Sequence, residues 1–348
     1  MKPDGSAASN SSPRVIQLFL VAALVMISAS ACGQGSTTFS AGGGGTQIEA
    51  ATTDQTRGRL RVDGAKIDVH AHLASQTLAD VFGGGGPALA EDLIARLDEG
   101  NVDQAVVLSG GYFGWPVGFT DDFNMAPEND FVATEVAKFP NRLIGFCGIN
   151  PLFDSAVAEV GRCLDLPGMV GVKIHMEGSG IDMTDDEQVA LLSAVFDEAE
   201  ARNAPVTMHA ADFSGFPLST IGYRNLAGVL GSHPSLRVAH AHCAGRSDMD
   251  AIEVIRRVTG AAYTSNAWVD LSACLKYFQD APRSQRELIV WRLEKWGIAN
   301  MLFGSDYFQF QPEQTPQEAL KTLTRYPFTQ RQINQIVEND GTDWLEGP

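Results

Sequence analysis

From position 65 onward the chain alternates two patterns of apolar and polar residues. Short apolar runs, bounded by polar or turn residues, recur at 65–70, 102–109, 143–150, 169–175, 204–209, 236–242, 267–272 and 300–305. Such runs read as strands buried on both faces. Stretches with helical spacing lie between them, at 91–99, 129–139, 156–164, 185–202, 226–230, 249–258, 284–296 and 317–324. Leu93, Ile94 and Leu97 share one helical face, and Gly100 ends that helix. Asp154 and Asp185 are candidate N-caps, and Pro140 is a stop. Eight strands with a helix after each predict an α/β fold, a single-domain (β/α)8 TIM barrel over 61–348. The competing fold, a doubly wound open sheet, usually carries a Gly-rich phosphate turn after its first strand. Here that turn is replaced by His70-Ala71-His72. The sequence shows no repeat and no second domain.

The residues before the barrel read differently. Lys2 and Arg14 precede an apolar run at 15–27, broken only by Gln17, and then Ser28-Ala29-Ser30-Ala31-Cys32. The run is short for a membrane span and suits a signal-peptide core. The whole resembles a bacterial lipoprotein signal, which implies lipidation of Cys32. Ala29 stands where that pattern usually has Leu, so plain cleavage after a small residue is the alternative. We therefore expect a signal peptide at 1–31. The Gly-, Ser- and Thr-rich stretch at 32–60 reads as a flexible tether. The expected location is outside the cytoplasm, on the periplasmic or extracellular face, with the membrane met only through the N-terminal lipid anchor.

Composition narrows the partners. The net charge is −17, and a surface this acidic repels phosphate backbones, so nucleic acid is excluded as a partner. A small-molecule substrate is expected, and a homodimer is compatible with the sequence. Apart from Cys32 the cysteines are Cys147, Cys163, Cys243 and Cys274. None has CxxC spacing, and three fall in apolar strand-like runs, where cysteine behaves as a small hydrophobe. No disulfide is predicted.

Candidate chemistry comes from the histidines. Six of the seven, His70, His72, His175, His209, His240 and His242, fall at the C-terminal ends of predicted strands. In a barrel that is the rim where chemistry is done. His70 and His72 share a face by the period of two along a strand, as do His240 and His242. An isolated strand-end histidine is usually a hydrogen-bonded spectator; six converging on one rim point to a metal. The eighth strand is apolar until it presents Asp306, and closure of a barrel brings strand eight beside strand one. Two stretches, 82–87 and 110–124, read as long βα loops over the rim, and Tyr112, Phe113, Trp115 and Phe119 in the second either line a pocket or pack their loop. Arg224 and Arg246 are candidates to clamp a carboxylate.

Taken together, His70-x-His72, Gly171-Val172-Lys173-Ile174-His175, His209, His242-Cys243-Ala244-Gly245 and Gly304-Ser305-Asp306 resemble the amidohydrolase superfamily. The resemblance runs from about Lys66 to the C-terminus. It is to the amidohydrolase-related branch, which includes metal-dependent hydrolases and decarboxylases of the aminocarboxymuconate semialdehyde type. It implies one divalent metal on His70, His72, His209 and Asp306. Zinc suits that donor set, and manganese, iron or cobalt are alternatives. It implies an acid–base role for His242, in preference to His240, and a proton-accepting role for Asp306 beside its role as a ligand. In binuclear relatives a lysine at the position of Lys173 is carboxylated and bridges two metals. A second metal is not expected here, and Lys173 could instead pair with a substrate carboxylate. His175 and His240 are further candidates for substrate or for a second metal.

The leading expectation is a metal-dependent hydrolase acting on a C–N or C–O bond of an amide, lactone or ester-like molecule. The alternative is a non-oxidative decarboxylase of a small carboxylated substrate. A third reading is a lipid-anchored, non-catalytic binding protein.

Overall fold

The chain divides into residues 1–57 and 58–348. The computed structural model describes residues 60–82, 85–114, 125–210, 220–244, 266–309 and 314–347. The signal-peptide, tether and Cys32 readings, the whole helix expected at 249–258, and Trp115, Phe119 and Arg246 lie outside them. Among the described residues no helix is long and apolar enough to cross a membrane.

Eight parallel strands follow one another around the sheet in chain order: β1 (Ala65–Ala71), β2 (Val102–Leu108), β3 (Leu143–Gly148), β4 (Met169–His175), β5 (Val206–His209), β6 (Val238–His240), β7 (Ala267–Asp270) and β8 (Met301–Leu302). Strand-end backbone closes the ring. Val69 N–H donates to the Phe303 carbonyl at 3.0 Å, Asp306 N–H to that of His70 at 2.8 Å and His72 N–H to that of Tyr307 at 2.8 Å. The last strands are shorter than the apolar runs, because the polar rim residues turn away from the ladder to face the site. Between Asp68 and Ala71, β1 carries one more residue than β2 does between Ala105 and Val107. This bulge re-aims the end of the strand, a common device beside active sites.

The helices are α1 (Gln76–Val81), α2 (Ala90–Gly100), α3 (Met125–Val136), α4 (Ala156–Leu164), α5 (Met176–Ser179), α6 (Asp186–Ala201), α7 (Thr220–Ser232), α8 (Cys274–Tyr277), α9 (Arg283–Trp296), α10 (Pro316–Leu323), α11 (Gln330–Val337) and α12 (Thr342–Leu345). Local chemistry sets their ends. Asp185 caps α6 by accepting from Glu187 and Gln188 N–H. Thr315 caps α10, with Pro316 in the first turn. Thr329 and Gln332 form a capping box on α11, a helix the periodicity reading missed. Helix α3 starts before Pro127, not after it, since a proline in the first turn loses no helical hydrogen bond. Ser155, not Asp154, occupies the N-cap position of α4. Helix α7 is longer than the expected 226–230.

Two apolar layers result. One lies between strands and helices and takes Val107, Cys147, Val172, Met208 and Val269 from the outward faces of the strands. The other fills the barrel with Ile67, Val106, Leu108, Phe146, Ala239, Trp268 and Leu302. Gly171 is required here: a Cβ at this position would run into the Phe146 ring. Trp344 from α12 completes the inner layer, fully buried and 5.2 Å from the Phe146 ring. Arg237, just before β6, donates to the Trp344 and Leu345 carbonyls at 2.6 and 3.1 Å. The plug therefore sits at the N-terminal ends of the strands, which leaves the other end open.

The cysteines overturn the expectation that none would pair. Cys147 bonds to Cys163 and Cys243 to Cys274, each pair with Cα atoms 6.1 Å apart. The reason is tertiary. Cys147 faces outward from β3 onto α4, which carries Cys163, and the turn after β6 lies beside the turn after β7. Links closing loops of this length stabilise a fold by about 3–4 kcal/mol.

Candidate active site

The C-terminal strand ends gather the predicted residues. His70 Nε2 is 3.2 Å from His72 Nε2 and 3.3 Å from Asp306 Oδ1, and His72 Nε2 is 3.5 Å from Asp306 Oδ1. His70, His242 and Asp306 each offer a ligand atom, all within 4.8 Å of one another. The rings of His70 and His242 are 4.7 Å apart, and the His209 ring is 4.6 Å from that of His242. His209 stacks on His175 at 3.9 Å, and His175 on Tyr112 at 4.9 Å. The site is thus a row of rings running from β1 past β6 and β5 to β4.

Backbone hydrogen bonds fix which nitrogen faces the centre. His72 Nδ1 lies 3.0 Å from the Leu108 carbonyl, and His242 Nδ1 lies 3.1 Å from the Ser272 carbonyl. A carbonyl can only accept, so in both rings Nδ1 carries the proton and Nε2 keeps its lone pair. His70 Nδ1 donates to Asp270 Oδ2, with the same result. His70 and His72 therefore turn basic nitrogens toward Asp306, donors that suit a divalent transition metal, and His242 keeps a free Nε2 beside them. His175 is the reverse case. Its Nδ1 accepts from Gly178 N–H at 3.0 Å, so its neutral ring bears the proton on Nε2 and has no lone pair there for a metal.

Burial governs the charges. It drives His70, His175 and His209 well below the ordinary histidine range, and nearby Lys173 reinforces the shift in each. The rings are neutral and available as ligands or donors. Burial alone would raise Asp306, but its electrostatic interactions with His242, His72 and His70 outweigh it. They hold the carboxyl below the usual range, so Asp306 is an anion. Lys173, 1% exposed, lies with Nζ 3.5 Å from His70 Nε2. Burial lowers it to about 8, against the pull of Asp270 and Asp306, so it is largely cationic at neutral pH.

His240 is corrected by the structure. It pairs in register with Met208 and Val269, whose side chains lie in the outer layer, and its ring is 5.8 Å from Trp296 on α9. The period of two fails because β6 ends at His240. His242 and Cys243 then adopt left-handed backbone, with φ of 55° and 58°.

Two residues escaped the sequence reading, Asp270 and Ser272. Besides the carboxylate on His70, Ser272 Oγ lies 2.8 Å from His242 Nδ1 and 3.2 Å from His70 Nδ1. An acid ending the apolar run Ala267-Trp268-Val269 was the available signal, the same one that marked Asp306. Gly304 belongs to the same pair of strand ends. A Cβ there would stand 2.9 Å from Asp270 Oδ1 and 3.3 Å from His70 Cβ.

Above the site stands an aromatic wall. Phe308 is 6.0 Å from the His72 ring, Phe82 is 5.3 Å from Phe308 and 5.6 Å from Phe113, and Phe113 is 4.5 Å from Tyr112. Burial, together with the charges of Asp306 and Glu128, keeps the Tyr112 hydroxyl protonated.

A closed barrel with histidines and an aspartate on its C-terminal rim defines a metal-dependent barrel enzyme. The chain matches the amidohydrolase family over residues 67–338, and it belongs to that family. No curated protein matches it. Several solved structures share the fold. A 5-carboxyvanillate decarboxylase from Sphingomonas paucimobilis is 16% identical, with a TM-score of 0.57 over 82% of this chain and 99% of that one. A 2,6-dihydroxybenzoate decarboxylase from Rhizobium is 12% identical, with a TM-score of 0.54 over 82% of this chain and 99% of that one. A 5-carboxyvanillate decarboxylase from Novosphingobium aromaticivorans, complexed with manganese and a nitrobenzoic acid, is 14% identical. Its TM-score is 0.56 over 81% of this chain and 96% of that one.

Proposed function

We propose that this chain is a metal-dependent, non-oxidative decarboxylase of a small aromatic carboxylate. The observation that carries the proposal is the charge and lining of the site. A buried lysine cation lies among the histidines, beneath a wall of Tyr112, Phe113, Phe82 and Phe308. A cation suits a carboxylate, and stacked rings suit an aromatic body. The decarboxylases that share the fold support the same reading.

His70, His72, His209 and Asp306 would hold one divalent ion, with manganese the first choice and zinc the second. Such an ion supplies Lewis-acid polarisation of the substrate's oxygens. Lys173 draws the substrate carboxylate inward by charge. His242, held through Nδ1 by Ser272, takes up a proton on its free Nε2 and delivers it to the ring carbon that bears the carboxylate. The C–C bond then breaks, its electron pair restores the aromatic ring and CO2 departs.

The test is CO2 release from hydroxybenzoates by the manganese-loaded protein. Turnover that disappears in His242→Ala supports the reading. No CO2 from any of them, together with cleavage of amides or lactones, replaces it with hydrolysis. We further propose export and anchoring through Cys32. The mass of the mature N-terminus tests this: a diacylated Cys32 supports it, and an unmodified N-terminus refutes it.

A further inference from the structure

The two disulfides hold different things. Cys147–Cys163 pins β3 to α4 in the outer layer between strands and helices. Cys243–Cys274 joins the residue after His242 to the residue two beyond Ser272. Ser272 is what grips His242, through its hydroxyl at 2.8 Å and its carbonyl at 3.1 Å. Ring and anchor are thus tied twice, once by hydrogen bonds and once by a covalent strap from β6 to β7.

The backbone at both ends of the strap is unusual. His242, Cys243 and Ala273 have φ of 55°, 58° and 53°, three of the six non-glycine residues with positive φ among those described. Such conformations persist where the surroundings over-determine them. Both cysteines are buried, Cys243 at 0% and Cys274 at 2% exposure. We propose that the Cys243–Cys274 disulfide is the positioning device of His242, so that proton delivery depends on its oxidation while substrate binding does not. A dithiol that reduces it gives up two electrons and two protons. The Cys243–Cys274 bond becomes two thiols and the reductant becomes a disulfide; oxidised glutathione reverses the exchange. The turnover consequence rests on the decarboxylase reading above, whereas the consequence for the ring does not.

The experiment compares Cys243→Ser/Cys274→Ser with Cys147→Ser/Cys163→Ser in the manganese-loaded full chain. Displacement of a proton donor by about 1 Å costs roughly 100-fold in rate, so the first variant should lose kcat on that order with little change in KM. The second should lose thermal stability and keep kcat. In the metal-free protein, the imidazole NMR signals of His242 should be sharp when oxidised and broadened or shifted after reduction. Oxidised glutathione should restore them. If the first variant does not fold, mild phosphine reduction of the wild-type protein supplies the same comparison. An unchanged kcat, an unmoved His242 signal, or free thiols at Cys243 and Cys274 in the untreated protein overturns the proposal. Absence of turnover in the oxidised protein defeats the decarboxylase reading instead, and the NMR comparison still decides the positioning.

Discussion

Asp270 accepts the Nδ1 proton of His70, although the two stand 200 residues apart in the chain. The contact joins β7 to β1 across the end of β8. It fixes the tautomer that turns His70 Nε2 toward Asp306. A ligand imidazole backed by a carboxylate is more basic and better oriented than a free one. Ser272 and Gly304 complete the arrangement, one by bonding both His70 and His242, the other by leaving room for β8.

Asp270→Asn should therefore weaken metal binding about 10- to 100-fold without removing a ligand. His70→Ala and His209→Ala should abolish it. Metal content after dialysis against graded chelator measures all three. Full retention of metal by Asp270→Asn would dismiss the orienting role.

His242→Ala should keep its metal and lose about 100-fold or more in turnover, the usual scale of a lost general acid. Removing the metal with chelator should abolish activity in the wild-type protein, and manganese should restore it. Elemental analysis beside steady-state kinetics separates the two effects. A variant that loses both together would make His242 a ligand.

Asp68 predicts a pH dependence of stability. Its Oδ1 accepts from His70 and Ser305 N–H at 3.1 and 2.9 Å, while its Oδ2 is buried without a hydrogen-bond partner. Burial raises the carboxyl from 3.8 to about 7, against the hydrogen bonds from Ser305 and His70. The folded chain thus keeps a proton that the unfolded chain releases. Stability from this group is present below pH 4 and is lost as pH rises from about 4 to about 7, then levels off. Asp68→Asn should flatten that slope, by an amount on the order of a few kcal/mol across the window. Denaturant titrations of the metal-free protein between pH 4.5 and 8 read the difference. Parallel profiles for the two proteins would contradict it.

Gly304→Ala should destabilise by about 1–3 kcal/mol, because the new methyl would crowd Asp270 and His70 with no space to relax. Calorimetry should show a lower Tm, with metal affinity falling alongside. A Tm equal to wild type would mean that the rim yields more easily than its packing suggests.

The alternation of apolar runs and helical stretches was sufficient for the barrel, because strands buried on both faces leave an unmistakable pattern. The same pattern placed His70, His72, His175, His209, His242 and Asp306 at strand ends. It misplaced His240, since a period of two holds only while the strand continues, and β6 stops one residue before the turn that carries His242. It did not reach Asp270, Ser272 or the two disulfides. Those depend on which outward or rim-facing residue meets which neighbour. Such meetings are set by barrel closure and by the packing of helices on strands, across separations of up to about two hundred residues, and local periodicity carries no information about them.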